Sequence, residues 1–130
     1  MAKQVVVFKL KIQDTPGVLA NMLEQGSNFG LDLEAACAAG CEGGEAVLFA
    51  VPKDETIGRQ VASAGGQPVE ECAGFLLEGD DRVGAGAAAL KPLGNINLLA
   101  CAALVSGGRY QTLVVVENKD AAAAAKALGV

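Results

Sequence analysis

No histidine occurs among the 130 residues of this chain. That absence removes the commonest general base and every Ser-His or Cys-His pair. Aromatic residues make up only 4%, so the core must be thin and built largely from Ala, Gly and aliphatic side chains. No apolar run is long enough to span a bilayer. The opening Met1-Ala2-Lys3-Gln4 lacks a leader-like apolar block before a small-residue cleavage site. Basic residues number ten, scattered through a chain of net charge −5. No basic stripe is present to offset phosphate charge, which argues against direct binding to DNA or RNA. The glycine-rich stretches Gly40-Cys41-Glu42-Gly43-Gly44 and Gly84-Ala85-Gly86 carry no Walker lysine followed by Ser or Thr. The paired carboxylates Asp80-Asp81 read as a solvated turn. Cys37, Cys41, Cys72 and Cys101 sit in Ala-rich surroundings and read as buried free thiols acting as small hydrophobes. Cys37 and Cys41 form one close pair, but zinc wants four ligands at recognisable spacings. The expectation is a cytoplasmic protein without metal, cofactor or catalytic set.

What is present is a 52% apolar composition, ample for one compact domain or two small fused ones. Residues 5–12 alternate: Val6, Phe8, Leu10 and Ile12 share one face of a strand, Val5, Val7, Lys9 and Lys11 the other. The junction Asp14-Thr15-Pro16-Gly17-Val18-Leu19-Ala20 follows. Asp14 and Thr15 are helix-entry residues, and Pro16 suits a first helical turn. Val18, Leu19, Met22 and Leu23 then recur at helical spacing, with Gly26 or Gly30 as the stop. Residues 31–37 alternate as a second strand, 40–44 read as a hairpin turn, and 46–51 as a third strand. A helix over 55–64 follows, stopped by Gly65-Gly66.

The order then recurs about 66 residues later, an internal repeat by the criterion of self-similarity at fixed spacing. Residues 75–78 read as a strand, Asp80-Asp81-Arg82-Val83-Gly84 as a turn into an Ala-rich helix ending near Pro92, and 96–102 and 110–116 as strands. Residues 121–128 form a last helix. The expected fold class is α+β, with two ferredoxin-like βαββαβ units whose antiparallel sheets carry their helices on one face. The expected division is 1–70 and 71–130. The second unit has no room for a full fourth strand of its own, so one long strand over 68–78 must serve both. Val5, Val7, Val47, Phe49 and Val51 supply apolar groups to the remaining sheet face, which must be covered, face solvent or meet a partner.

The chain resembles a tandem pair of ACT domains, small regulatory modules that bind amino acids. The resemblance rests on Asp14-Thr15-Pro16-Gly17-Val18-Leu19 followed by Gly30-Leu31-Asp32-Leu33. In the second copy, Asn95-Ile96-Asn97-Leu98 matches well, while Asp81-Arg82-Val83-Gly84 lacks the proline. It implies a stand-alone regulatory protein that binds a small ligand, an amino acid, where two ACT units meet. The cradle would be Asp14, Thr15, Pro16, Gly17, Val18 and Leu19, closed by Asp32 or Asn97 of a neighbouring unit. Gly17 lets a ligand approach the backbone, and a helix start favours a carboxylate. Asp14 either accepts from a ligand ammonium or caps the helix. Implied partners are a second copy in a homodimer or higher oligomer and an amino-acid metabolic enzyme. The alternatives are a dedicated regulatory subunit of an amino-acid biosynthetic enzyme, and a ferredoxin-like enzyme or metal chaperone.

Overall fold

The computed structural model describes residues 1–40 and 43–130. The elements run β1 (Ala2–Gln13), α1 (Val18–Asn28), β2 (Leu33–Gly40), β3 (Glu45–Pro52), α2 (Glu55–Ala64), β4 (Glu70–Asp80), α3 (Ala85–Leu90), β5 (Leu98–Ser106), β6 (Arg109–Val116) and α4 (Ala121–Leu128). Single turns of 3-10 helix at Lys91–Leu93 and Asn118–Asp120 precede β5 and α4. The fold is α+β with antiparallel strand pairing. Two compact sets of residues emerge: Val6–Glu71, and Cys72–Val130 together with Met1–Val5. The strands β1 and β4 are each divided between the two sets. At 12 residues, β1 is about twice the length of a usual strand, which leaves residues for a second role.

In Val6–Glu71 the strands lie in the order β2-β3-β1. Phe8 stands opposite Ala50 and Ile12 opposite Ala46, while Cys37 faces Phe49 across β2 and β3. One face gathers Ile12, Ala46, Leu48 and Ala50, with Leu10, Val18, Leu19 and Met22 packed on them. The spacing of Val18, Leu19 and Met22 puts all three on one helical stripe, which is why α1 lies on this face. On the other face Val7, Phe49 and Val51 are all buried. Burial on both sides is the reason β3 reads as a near-continuous apolar run and not as an alternation. Helix α2 closes with the Gly65 N–H donating to the Val61 carbonyl at 3.1 Å.

In the other set the order is β1-β4-β6-β5, with Met1–Val5 supplying the β1 part. The Met1 ammonium donates to the Glu78 carbonyl at 2.9 Å, and the Glu78 N–H donates back to the Met1 carbonyl at 3.0 Å. Such a reciprocal exchange marks an antiparallel hydrogen-bonded pair. The sequence pattern over 68–78 shows β4 but not this companion strand. Phe75, Leu77, Leu93, Val114, Val116 and Ala124 form the core here, and Ala2 packs on it. Gly79 sits opposite Tyr110, whose ring fills the space a side chain would take: a Cβ on Gly79 would lie 2.7 Å from the ring. The two sets share details. Both outer strands slip register at their start, between Leu33 and Ala35 in β2 and between Leu98 and Ala100 in β5.

Candidate functional site

The turn between β1 and α1 is pinned at its start by the Asp14 N–H, which donates to the Gly44 carbonyl at 2.9 Å. The Val18 N–H then donates to the Thr15 carbonyl at 3.3 Å, and Gly17 takes φ 85° and ψ −13°. A hydrogen bond across four residues with a left-handed third residue is a type II turn, which favours Pro second and Gly third. Pro16 and Gly17 hold those places. Pro16 therefore belongs to the turn and not to the first helical turn, as its type alone suggests. Helix α1 begins on Gly17, with the Asn21 N–H donating to the Gly17 carbonyl at 3.0 Å.

The second copy repeats this geometry. Asp81 donates to the Gly108 carbonyl at 2.9 Å, Ala85 to the Arg82 carbonyl at 3.0 Å, and Gly84 takes φ 85° and ψ 0°. Val83 stands where Pro16 stands, so proline is not needed for the turn; the glycine is. The helix that follows is shorter, six residues in α3 against eleven in α1.

Asp14 is not the cap of α1. Among the described residues no side chain caps that helix, whereas Asp54 caps α2 by accepting from Thr56 and Ile57 at 2.9 and 3.2 Å. The Asp14 carboxylate lies over Gly40 instead, where an added Cβ would stand 2.6 Å from Oδ2. The first N–H groups of α1 are thus left without a side-chain acceptor at the positive end of the helix dipole. A Cβ on Gly17 would meet nothing within 4 Å, so the backbone is open to a ligand there. Thr15, Pro16 and Gly17 are exposed. Val18 and Leu19 turn their side chains into the core and offer only backbone.

Asp32 has a partner already. Lys53 Nζ lies 3.0 Å from its Oδ2, and the Lys53 N–H donates to its carbonyl at 2.9 Å. Asp32 enters β2 at the Pro52 end, while Asp14 sits at the Gly40–Gly44 end. Seven rises of a strand separate these ends, roughly 23 Å, so Val6–Glu71 does not bring Asp14 and Asp32 into one site. Asn97 is exposed and immediately precedes β5. Gly40 and Lys53 were not legible as site residues. A signal for the hairpin glycines does exist in the sequence, because each motif aspartate is matched by a double glycine, Gly43-Gly44 and Gly107-Gly108.

Among the described cysteines Cys72 is buried, Cys37 half-buried and Cys101 exposed, and none of the three is in a disulfide. The expectation of uniform burial fails at Cys101 because it lies on β5, the outermost strand of its unit. Cys41, and with it the Cys37–Cys41 pair, lies outside the described residues. Among the described residues no group of three His, Cys, Asp or Glu is placed to hold a metal ion, and no helix is long and apolar enough to cross a membrane.

The chain shares its fold with solved regulatory chains of aspartate kinase. The regulatory subunit of aspartate kinase from Thermus thermophilus, in its ligand-free form, matches with a TM-score of 0.69 at 13% identity, over 99% of this chain and 93% of that one. A protein from Bacteroides thetaiotaomicron matches with a TM-score of 0.76 at 13% identity, over 96% and 88%. Aspartokinase III of E. coli, in complex with aspartate and ADP, matches at 0.61 and 13% identity, over 98% of this chain and 31% of the enzyme. No protein-family model and no curated sequence matches the chain.

Proposed function

We propose that this chain is a non-catalytic regulatory protein that binds an amino acid through the turn of residues 14–19. The observation that carries the reading is the uncapped start of α1 on a left-handed, unobstructed Gly17. The ligand carboxylate would accept from the first N–H groups of α1, and Asp14, free of a capping role, would accept from its ammonium. The likeness to aspartate kinase regulatory chains supports an amino acid as ligand. Asp32 or Asn97 would close the site from a second copy of the chain, since Asp14 and Asp32 are too far apart within one unit. An oligomer has a further basis in Leu104 and Val105, which are 64% and 54% exposed on β5. A thermal-shift screen against the common amino acids tests the reading. A ligand at a hundred times its dissociation constant should stabilise by about 2.7 kcal/mol. Uniform failure across the screen contradicts it.

A second reading, a dedicated regulatory subunit, is favoured by one observation. The match spans nearly the full length of separate regulatory chains, 93% in the Thermus thermophilus subunit. Co-purification with a large catalytic chain distinguishes it from a stand-alone protein.

A further inference from the structure

Between α1, α2 and the sheet of Val6–Glu71 lies an open cavity of about 200 Å³. Its walls are Met22, Leu48, Val61 and Ala62, with Phe29 and Leu23 at the mouth. The helices approach the rest of the unit through glycine. Gly26 is the only buried residue of α1 and Gly58 the only one of α2. A Cβ on Gly26 would stand 2.8 Å from Leu31, and one on Gly58 2.7 Å from Pro52. The larger inward side chains Met22, Ile57 and Val61 stay only half-buried, unlike those of a close-packed interior. The other unit solves the same problem from within. After α3 its chain tightens into a 3-10 turn and drives Leu93 to 2% exposure beside Phe75 at 0%. At the matching stage the first unit continues α1 to Asn28 and turns Phe29 outward, to 61% exposure.

We propose that this cavity is a second ligand site, distinct from the turn at residues 14–19, for a small uncharged molecule with one aromatic ring system, single or fused, or a branched alkyl body. Size sets the first limit, since an apolar cavity of about 150 Å³ accepts benzene. Chemistry sets the second. Among the described residues no charged side chain lines the cavity, and the polar lining side chains are the amides of Gln25 and Gln67. Water needs two to four polar partners to settle in such a space. A zwitterion would lose its hydration with no counter-charge to replace it, which separates this site from the amino-acid site. Gln25 and Gln67 can each give or accept one hydrogen bond to a ring nitrogen or hydroxyl.

Indole is a suitable probe. The chain has no tryptophan and one tyrosine, so indole emission excited beyond the tyrosine band comes from the probe alone. Titration of the whole protein should give a saturable blue shift at one equivalent, and an added excess of alanine or aspartate should leave it unchanged. The Ala62→Leu variant fills the cavity and should lose the shift at least tenfold while melting cooperatively. In the unaltered protein, saturating indole should move the Met22 and Leu48 methyl resonances and leave those of Val114 in place. Absence of a saturable shift, or methyl changes elsewhere than this cavity, overturns the proposal, as does unchanged binding in a folded Ala62→Leu variant.

Discussion

Asp14 and Gly40 share one space: the carboxylate of the first occupies the room that the second leaves by having no side chain, with Oδ2 2.6 Å from where a Cβ would stand. Helix α1 starts uncapped because Gly17 holds the cap position, three residues after Asp14. The carboxylate is held over the β2 strand end and not over the helix. This relationship separates what Asp14 does for the fold from what it is proposed to do for a ligand.

Gly40→Ala should therefore displace the Asp14 carboxylate with little effect on folding. The obstructing atoms are the mobile end of a side chain, and alanine in a strand is favoured over glycine by roughly 0.5–1 kcal/mol. Urea unfolding should give an unfolding free energy within about 1 kcal/mol of the parent. Amino-acid affinity, measured by calorimetry, should fall. Unchanged affinity would remove Asp14 from the site.

The glycines of the two turns should behave alike, despite Pro16 in one and Val83 in the other. Gly17→Ala and Gly84→Ala each place a Cβ on a residue at φ 85°, which costs about 1–2 kcal/mol. Gly86→Ala, inside α3 with nothing within 4 Å, should instead stabilise by roughly 0.5–1 kcal/mol. Denaturant melts of the three variants read both signs. A larger loss at Gly17 than at Gly84 would show that proline makes its turn less tolerant.

Asp54→Ala should cost about 1 kcal/mol, the usual value of an N-cap. Its carboxylate satisfies the Thr56 and Ile57 N–H groups. Asp14→Ala should cost less, because it caps nothing. A comparison of thermal midpoints ranks the two.

Much of this fold was legible because periodicity is a local property. The bounds of α2 and α4 coincide with the patterns at 55–64 and 121–128, and the turn glycines at 17 and 84 announce their own backbone. Three features were not legible. The pairing of Met1 with Glu78 depends on a strand longer than its unit requires, and alternation does not say where a strand finds each partner. Asp14 has the residue type of a cap, but its place over Gly40 is set by a contact 26 positions away. Lys53 follows a strand-breaking proline and reads as solvated, yet it holds both the carbonyl and the carboxylate of Asp32.

Acid should weaken the unit that contains Arg59 and Glu71. Arg59 donates to Glu71 through Nη2 at 2.9 Å and Nε at 3.2 Å. That hydrogen bonding holds the Glu71 carboxyl below its usual range; desolvation opposes it and the guanidinium charge reinforces it. A carboxyl with a depressed folded pKa contributes stability above its unfolded value, about 4.3, and loses it as pH falls through the folded value. Arg59→Gln should narrow the stability difference from the parent as pH drops through that window. A difference that stays constant with pH would show that the pair contributes nothing through titration.

The most direct test of the central claim is an amide NMR titration of the isotopically labelled protein with the amino acid that gives the largest thermal shift. The account expects the largest changes at the backbone N–H groups of Gly17, Leu19 and Ala20, with smaller ones at Asp14 and Gly40. Saturable binding with those amides unmoved, and the changes gathered elsewhere in the chain, would contradict it.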